Sequence, residues 1–483
     1  MNLKKTVIFL FLIISFNTFA QKCSCQDNFA WLKQTFEEND AGFQFVIDKK
    51  GLKEYQNHNE IFSKKIKNIK DANDCQKALS EWLLFFRKSH LSLVVNQDQQ
   101  KKEAAKPNTA ANDKWEKMEI PETELKNNLA KNSLPGFEGI WVSEPYTIGV
   151  VKKDNQYVGY ILDAKGTKWK QYQVKFKITE NLDKTHTAIY YLGDYSSRKF
   201  DDIQFIGNNF LKIGFVSLKR VFPNIQENNP EISDYIESIT TQEPFIKAIS
   251  PKTVLLRIPS FNYSNKKAID SILAANHNLI TSRENLIIDL RDNGGGSDSS
   301  FENIIPYLYS NPIRNIGVQF LSTKLNNKRM EDFMADPEWS DKDKEWARKG
   351  LEKLNAHLGQ FVNLEENAVE ETKLDKVLTN PKNIGIIIHE NNASTTEQFL
   401  LAAKQSKKVK LFGTTTEGVL DISNMYFIDS PCKDLKLGYS LSKSFRIPGM
   451  QIDDKGIQPD YYLDKTIPEY NWVRFTEQIL NAN

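Results

Sequence analysis

Two segments hold residues whose types and spacing could do chemistry. The apolar run Asn285 to Leu290 ends in Arg291-Asp-Asn-Gly-Gly-Gly296. Consecutive glycines leave backbone N–H groups open to an approaching carbonyl and admit conformations closed to other residues. Such a turn can form half of an oxyanion hole, which stabilises the charge on a tetrahedral intermediate. It lacks the Gly-Lys-Ser/Thr ending of a nucleotide-binding loop and the spaced glycines of a dinucleotide fingerprint. Farther along, the apolar run from Ile384 enters His389-Glu-Asn-Asn-Ala-Ser394-Thr-Thr-Glu397. A serine at a strand-to-helix turn can serve as a nucleophile once a base takes its proton. Ser394-x-x-Glu397 is also a capping box, and the two readings are compatible, because a helix start presents N–H groups and a positive dipole end.

Both segments need a rigid frame. The pattern predicts strands at Thr253–Ile258, Asn285–Leu290, Ile384–His389 and Val409–Phe412. Helices are predicted at Lys266–Ile280, Ser300–Tyr309, Asp341–His357 and Ser394–Gln405. Fully apolar strands alternating with helices predict an α/β core with a parallel sheet over 240–483. Upstream, apolar residues at helical spacing, such as Trp31, Leu32, Phe36, Leu79, Trp82 and Leu83, predict an N-terminal helical domain over 21–95. It closes with Ser89-His90 and the alternating Leu91–Val95. A polar linker is expected over 96–114. Residues 115–235 alternate in short segments between turns and predict a β-rich barrel or sandwich with an interior filled by side chains.

Four segments occur in an order that resembles the C-terminal processing and tricorn-core serine peptidases. They are Asp289-Leu-Arg-Asp-Asn-Gly-Gly-Gly296, Ala393-Ser-Thr-Thr-Glu397, Phe412-Gly-Thr-Thr-Thr-Glu-Gly418 and Gly456-Ile-Gln-Pro-Asp460. The resemblance spans roughly residues 243 to 465 and implies a crotonase-like core with Ser394 as nucleophile. It places the oxyanion amides at Thr395 and at Gly295 or Gly296. One branch of the family supplies a lysine base just after the Phe-Gly segment, but this chain has Val419 there. The tricorn-like branch takes a histidine from an earlier Gly-His or Ser-His segment, which lands on His90 with Ser89 beside it. Its acidic partner falls by spacing on Asp453, with Asp454 as the neighbouring alternative. Asp289 and Arg291 are read as structural supports of the glycine turn. The implied activity is hydrolysis of unfolded or C-terminal polypeptide segments through an acyl-enzyme, with no cofactor and no metal. The alternative is a catalytically inactive binding protein on the same core, carrying an apolar or peptide ligand.

The remaining features bound where and on what such a protein works. Lys4 and Lys5, the apolar run Val7–Phe16 and Asn17-Thr-Phe-Ala20 have the layout of a secretory signal peptide over 1–20. An exported protein, periplasmic or secreted, is therefore expected, with no stable membrane insertion after processing. A formal net charge of +2 gives no electrostatic case for nucleic acid. Cys23, Cys25, Cys75 and Cys432 permit three disulfide pairings. Cys25 with Cys75 is favoured, since both belong to the helical region.

Overall fold

A computed structural model describes residues 23–96, 115–131, 136–337 and 339–482. The leader expected over 1–20, and all of the expected linker except Asn96, lie outside the described residues. The chain divides into two compact units, each assembled from separated stretches. One combines the described residues within 1–106, 316–369 and 421–451; the other combines those within 107–315, 370–420 and 452–483. The stretch 240–483, which reads in sequence as one continuous core, contributes to both.

In the first unit, helices Cys25–Asn39, Phe43–Lys50, Leu52–Ile66 and Ala72–Leu83 precede the short strand Ser92–Val95. Ser24 opens the first helix with a reciprocal cap: its hydroxyl accepts from Asp27 N–H, and its own N–H donates to the Asp27 carboxylate. The helices cannot bury their apolar faces alone. The strand Leu435–Ser444 completes them, placing Leu435, Leu437, Tyr439 and Leu441 among Leu32, Phe36, Leu79 and Trp82. That strand pairs antiparallel with Ser92–Val95, Val318–Leu321 and Ile422–Asp429, and Val318–Leu321 continues to Phe361–Asn363. Cys25 is disulfide-bonded to Cys75 and Cys23 to Cys432.

The second unit contains two large sheets among its described residues. Residues 139–222 form nine antiparallel strands whose hydrogen-bonded order follows the chain except for the last three, which return beside Gly139–Ser143. His186 near one end of this sheet and Phe205 near the other both pack against Phe137. Trp141, Ile148, Phe176, Ile178, Leu211 and Leu218 fill one core, each essentially inaccessible.

The other sheet runs Phe245–Ala248, Thr253–Arg257, Asn285–Asp289, Asn383–Ile388, Val409–Gly413 and Tyr461–Tyr462. Only its first pairing is antiparallel. Its central strands, Thr253–Arg257, Asn285–Asp289 and Asn383–Ile388, are buried on both faces, which is why they read as largely apolar runs. Leu286, Ile288, Ile384 and Ile386 pack one way; Leu255, Ile287 and Ile387 pack the other way against Trp472 and Leu480. The helix expected over Ser300–Tyr309 is shorter, Ile305–Leu308, because Pro306 fits only a helix's first turn. The helix expected over Lys266–Ile280 divides at Asn276, whose φ of −110° breaks the repeat.

Asp289 and Arg291 anchor the exit from the strand Asn285–Asp289. Arg291 donates to both carboxylate oxygens of Asp289, at 3.0 and 2.6 Å, and to the Glu469 carbonyl at 2.7 Å. Arg257 donates to the main-chain carbonyls of Asp289 and Arg291. Burial alone would raise the Asp289 pKa, but the two guanidinium groups hold it at about 2. The folded carboxyl thus titrates below its unfolded value, so its contribution to stability is full above about pH 4 and fades as pH falls toward about 2. Asp289→Asn leaves two buried guanidinium groups without their counter-charge and should cost about 3–5 kcal/mol, measured by urea unfolding at neutral pH.

Candidate active site

Parallel pairing brings the two motifs together. Asp289 pairs with Ile387 in neighbouring strands, so the glycine turn and the serine turn leave the sheet side by side at its carboxyl edge. Open α/β sheets place reactive groups in this position. Amide side chains join the turns. Asn392 Nδ2 donates to the carbonyls of Leu290, at 2.6 Å, and Asn293, at 3.0 Å, while Thr396 Oγ1 donates to Asn293. Asn392, Asn293 and Thr396 are all fully buried.

Ser394 sits between the strand Asn383–Ile388 and the helix Thr395–Ala403, with φ 57° and ψ −123°. An ordinary N-cap is extended with negative φ, so this serine is not merely a cap. A non-glycine residue held there stores about 1–3 kcal/mol of strain, and a sharp strand-to-helix turn of this kind pushes a nucleophile's side chain outward. Surrounding contacts fix the conformation. Ser394 N–H donates to the Val419 carbonyl at 2.8 Å and lies 3.3 Å from Glu397 Oε2.

The glycine turn lies against this backbone. A Cβ on Gly295, whose φ is +101°, would meet the Ala393 carbonyl oxygen at 2.7 Å and the Thr395 nitrogen at 3.0 Å, so only glycine fits. Gly296 accepts from Thr395 Oγ1 at 3.0 Å through its carbonyl. The expected amides differ in state. Gly295 N–H already donates to Asn293 Oδ1 at 3.0 Å. Those of Gly296 and Thr395 have no acceptor among the described residues.

Glu397 is the residue the sequence placed but undervalued. Fully buried, it accepts from Gly418 N–H at 2.8 Å, Val419 N–H at 2.7 Å and the Thr416 hydroxyl. Its carboxylate therefore fastens segment 416–419 to the start of the serine helix. Burial pushes its carboxyl above the ordinary glutamate value, against the pull of these donors, and the negative charge of Asp453 adds to the rise. Asp453 accepts from Leu420 N–H at 2.6 Å, extending the same scaffold by one residue. Asp454 is exposed, with φ 65°, and its N–H donates to the Gly418 carbonyl. Position 419, where a lysine base would stand, holds an apolar side chain on a backbone that touches the serine.

His90 and Ser89 belong to the unit built on the N-terminal helices, and both are half-buried. His90 has φ 54°, and its Nδ1 lies 2.6 Å from the Ile422 carbonyl. That contact makes Nδ1 the protonated nitrogen of a neutral ring and puts the lone pair on Nε2. Its own carbonyl accepts from Arg87, at 3.1 Å, and from the Ser440 hydroxyl, at 3.2 Å. Arg87 is in turn held by a bidentate contact with buried Asp40. The Ile422 carbonyl as ring orienter has no signature in the sequence, since any residue supplies one.

Residues 252–463 match the family model described as Peptidase family S41. No curated protein matches the chain. Among solved structures, mature CPAF complexed with lactacystin is similar at 12% identity and a TM-score of 0.52, covering 95% of this chain and 98% of that one. A CPAF mutant is similar at 11% identity and 0.50, covering 95% and 96%. These likenesses concern the fold. The photosystem II D1 C-terminal processing protease follows at 11% identity and 0.41, covering 92% and 95%. Among the described residues, no helix is long and apolar enough to cross a membrane.

Proposed function

We propose that the chain is a serine-type peptidase of family S41, whose model residues 252–463 match, with Ser394 as its nucleophile and His90 as its general base. The observation that carries this reading is the strained outward turn at Ser394 beside the unengaged amides of Thr395 and Gly296.

Ser394 Oγ attacks a peptide carbonyl carbon while His90 Nε2 takes the hydroxyl proton. The carbonyl oxygen, now negative, accepts from the Thr395 and Gly296 N–H groups. Collapse breaks the C–N bond, and His90 returns the proton to the leaving amine. Water, deprotonated by the same ring, then cleaves the acyl-ester and restores Ser394. Asp453 is the proposed acidic partner, and Ser89 orients the network through its hydroxyl. The Ile422 carbonyl keeps His90 in the tautomer this sequence needs.

We read the six-stranded sheet and its helices as a crotonase-like core, and the substrates as unfolded or C-terminal polypeptide segments. Two disulfides favour an oxidising compartment, consistent with an exported enzyme. A fluorophosphonate probe tests the assignment directly. It should modify Ser394 alone, seen by peptide mass spectrometry, and His90→Gln should slow labelling by orders of magnitude. Labelling of a different residue, or none in well-folded protein, would remove Ser394 from its role.

A further inference from the structure

His389 directly follows the strand Asn383–Ile388 that leads to Ser394, and only 8% of its surface is exposed. Three carboxylates from three places in the chain surround its ring. Asp292, in the glycine turn, brings Oδ1 to 3.5 Å from Nδ1. Glu390, the next residue, lies 3.2 Å from Nε2, and Glu469, from the segment before the last helix, lies 3.8 Å from the same nitrogen. The Trp472 ring stands 6.2 Å away.

The other charged and titratable groups at this place each engage one of the carboxylates or its backbone. Lys212 Nζ is 3.9 Å from Asp292 Oδ2, and the Tyr235 hydroxyl donates to Glu469 at 2.7 Å. Arg291 holds the Glu469 carbonyl, and Thr414 donates to Glu390 at 2.8 Å. A neutral imidazole has a single N–H to offer this ring of acceptors; an imidazolium has two and a charge.

The cluster bears on the site just described. Asp292 Oδ1 also accepts from Asn391 Nδ2 at 2.7 Å, so the carboxylate tied to His389 is one of the links between the two turns. Asp292 has φ 60° and opens the glycine turn that contains Gly296. His389's own N–H donates to Asn392 Oδ1 at 2.7 Å, the side chain whose amide stitches the turns together.

We propose that His389 in its imidazolium form is a positioning residue: by drawing Asp292, Glu390 and Glu469 together it fixes the glycine turn against the serine turn, so catalysis weakens when the ring loses its proton. The proposal rests on the reading of Ser394 as nucleophile. Burial pushes the His389 pKa down, but Glu469, Asp292 and Glu390 outweigh it and leave the ring titrating above the ordinary histidine value. The charge is thus present at lower pH and disappears as pH rises through that raised value.

The experiment combines kcat profiles across pH with NMR titration of the full-length Ser394→Ala protein. Wild-type kcat should fall to a lower plateau on the alkaline side, with KM steady. Asp292→Asn removes a negative neighbour and should move that limb to lower pH, while His389→Gln should sit near the low plateau without the limb. In the Ser394→Ala protein, the amide resonances of Gly295, Gly296 and Thr395 should shift with the same midpoint as the His389 ring. An alkaline limb indifferent to Asp292→Asn, or amides that ignore the His389 titration, would overturn the proposal. A wild-type protein that cleaves nothing would instead count against Ser394, and the amide titration would still decide the role of His389.

Discussion

Ser394→Ala should lower peptide hydrolysis by about 10⁶-fold while costing stability in urea only about 1 kcal/mol, the worth of a lost helix cap. Removing the hydroxyl deletes the atom that forms the acyl bond and its half of the capping box with Glu397, but not the main-chain contact that holds the turn. Ser394 N–H still donates to the Val419 carbonyl, and the Thr395 and Gly296 amides stay in place. Ser394→Gly sharpens the test. Glycine adopts a positive φ without the steric penalty, so this variant should be equally inactive but more stable than the alanine variant by about 1 kcal/mol or more. Strain at 394 would then be visible as stability that wild type forgoes to present its hydroxyl. Retained cleavage in either variant, followed by mass spectrometry on unfolded casein, would exclude this serine as nucleophile.

Glu397→Ala is expected to have the largest effect on folding among substitutions at the serine turn. It strips the acceptor from the Gly418 and Val419 amides and the Thr416 hydroxyl, all at positions water reaches poorly. A buried donor left unpaired costs about 1–3 kcal/mol, and relaxation recovers part of the sum, so a loss of about 3–5 kcal/mol is expected by urea unfolding. Glu397→Gln tests the chemistry more finely. Its amide keeps one acceptor oxygen but turns an NH₂ toward main-chain donors, so it should still lose stability and slow acylation of Ser394. If Glu397→Gln behaved as wild type in both assays, the carboxylate would be only a helix cap.

The sequence made the doubly buried strands legible because apolar residues fill nearly all of their central positions. Val254–Leu256 and Ile384–Ile388 needed no partner information to be recognised. The Ser394 and glycine turns were legible for a related reason: each ends one of those strands, and parallel pairing does the rest. The first unit was less readable. Leu435, Leu437, Tyr439 and Leu441 alternate with period two, but their partners are helices some four hundred residues earlier, and no local pattern announces that. The same distance leaves the Cys23–Cys432 pairing without a local signal. Glu397 was visible as a cap because a cap is local. Its bonds to Gly418 and Val419 were invisible because an amide donor carries no side-chain identity, and the Ile422 carbonyl beside His90 was hidden for the same reason.

The bond between Cys23 and Cys432 turns most of the polypeptide into a closed loop, with the Cys25–Cys75 bond forming a smaller loop inside it. A single scission anywhere between residues 23 and 432 opens that loop without releasing a fragment. A nicked molecule keeps every atom and gains one water, so under non-reducing conditions it travels as one species. Self-processing or damage by another peptidase would become visible only after reduction, and the nicked protein would retain the covalent tether that joins its N-terminal helices to the strand completing their core.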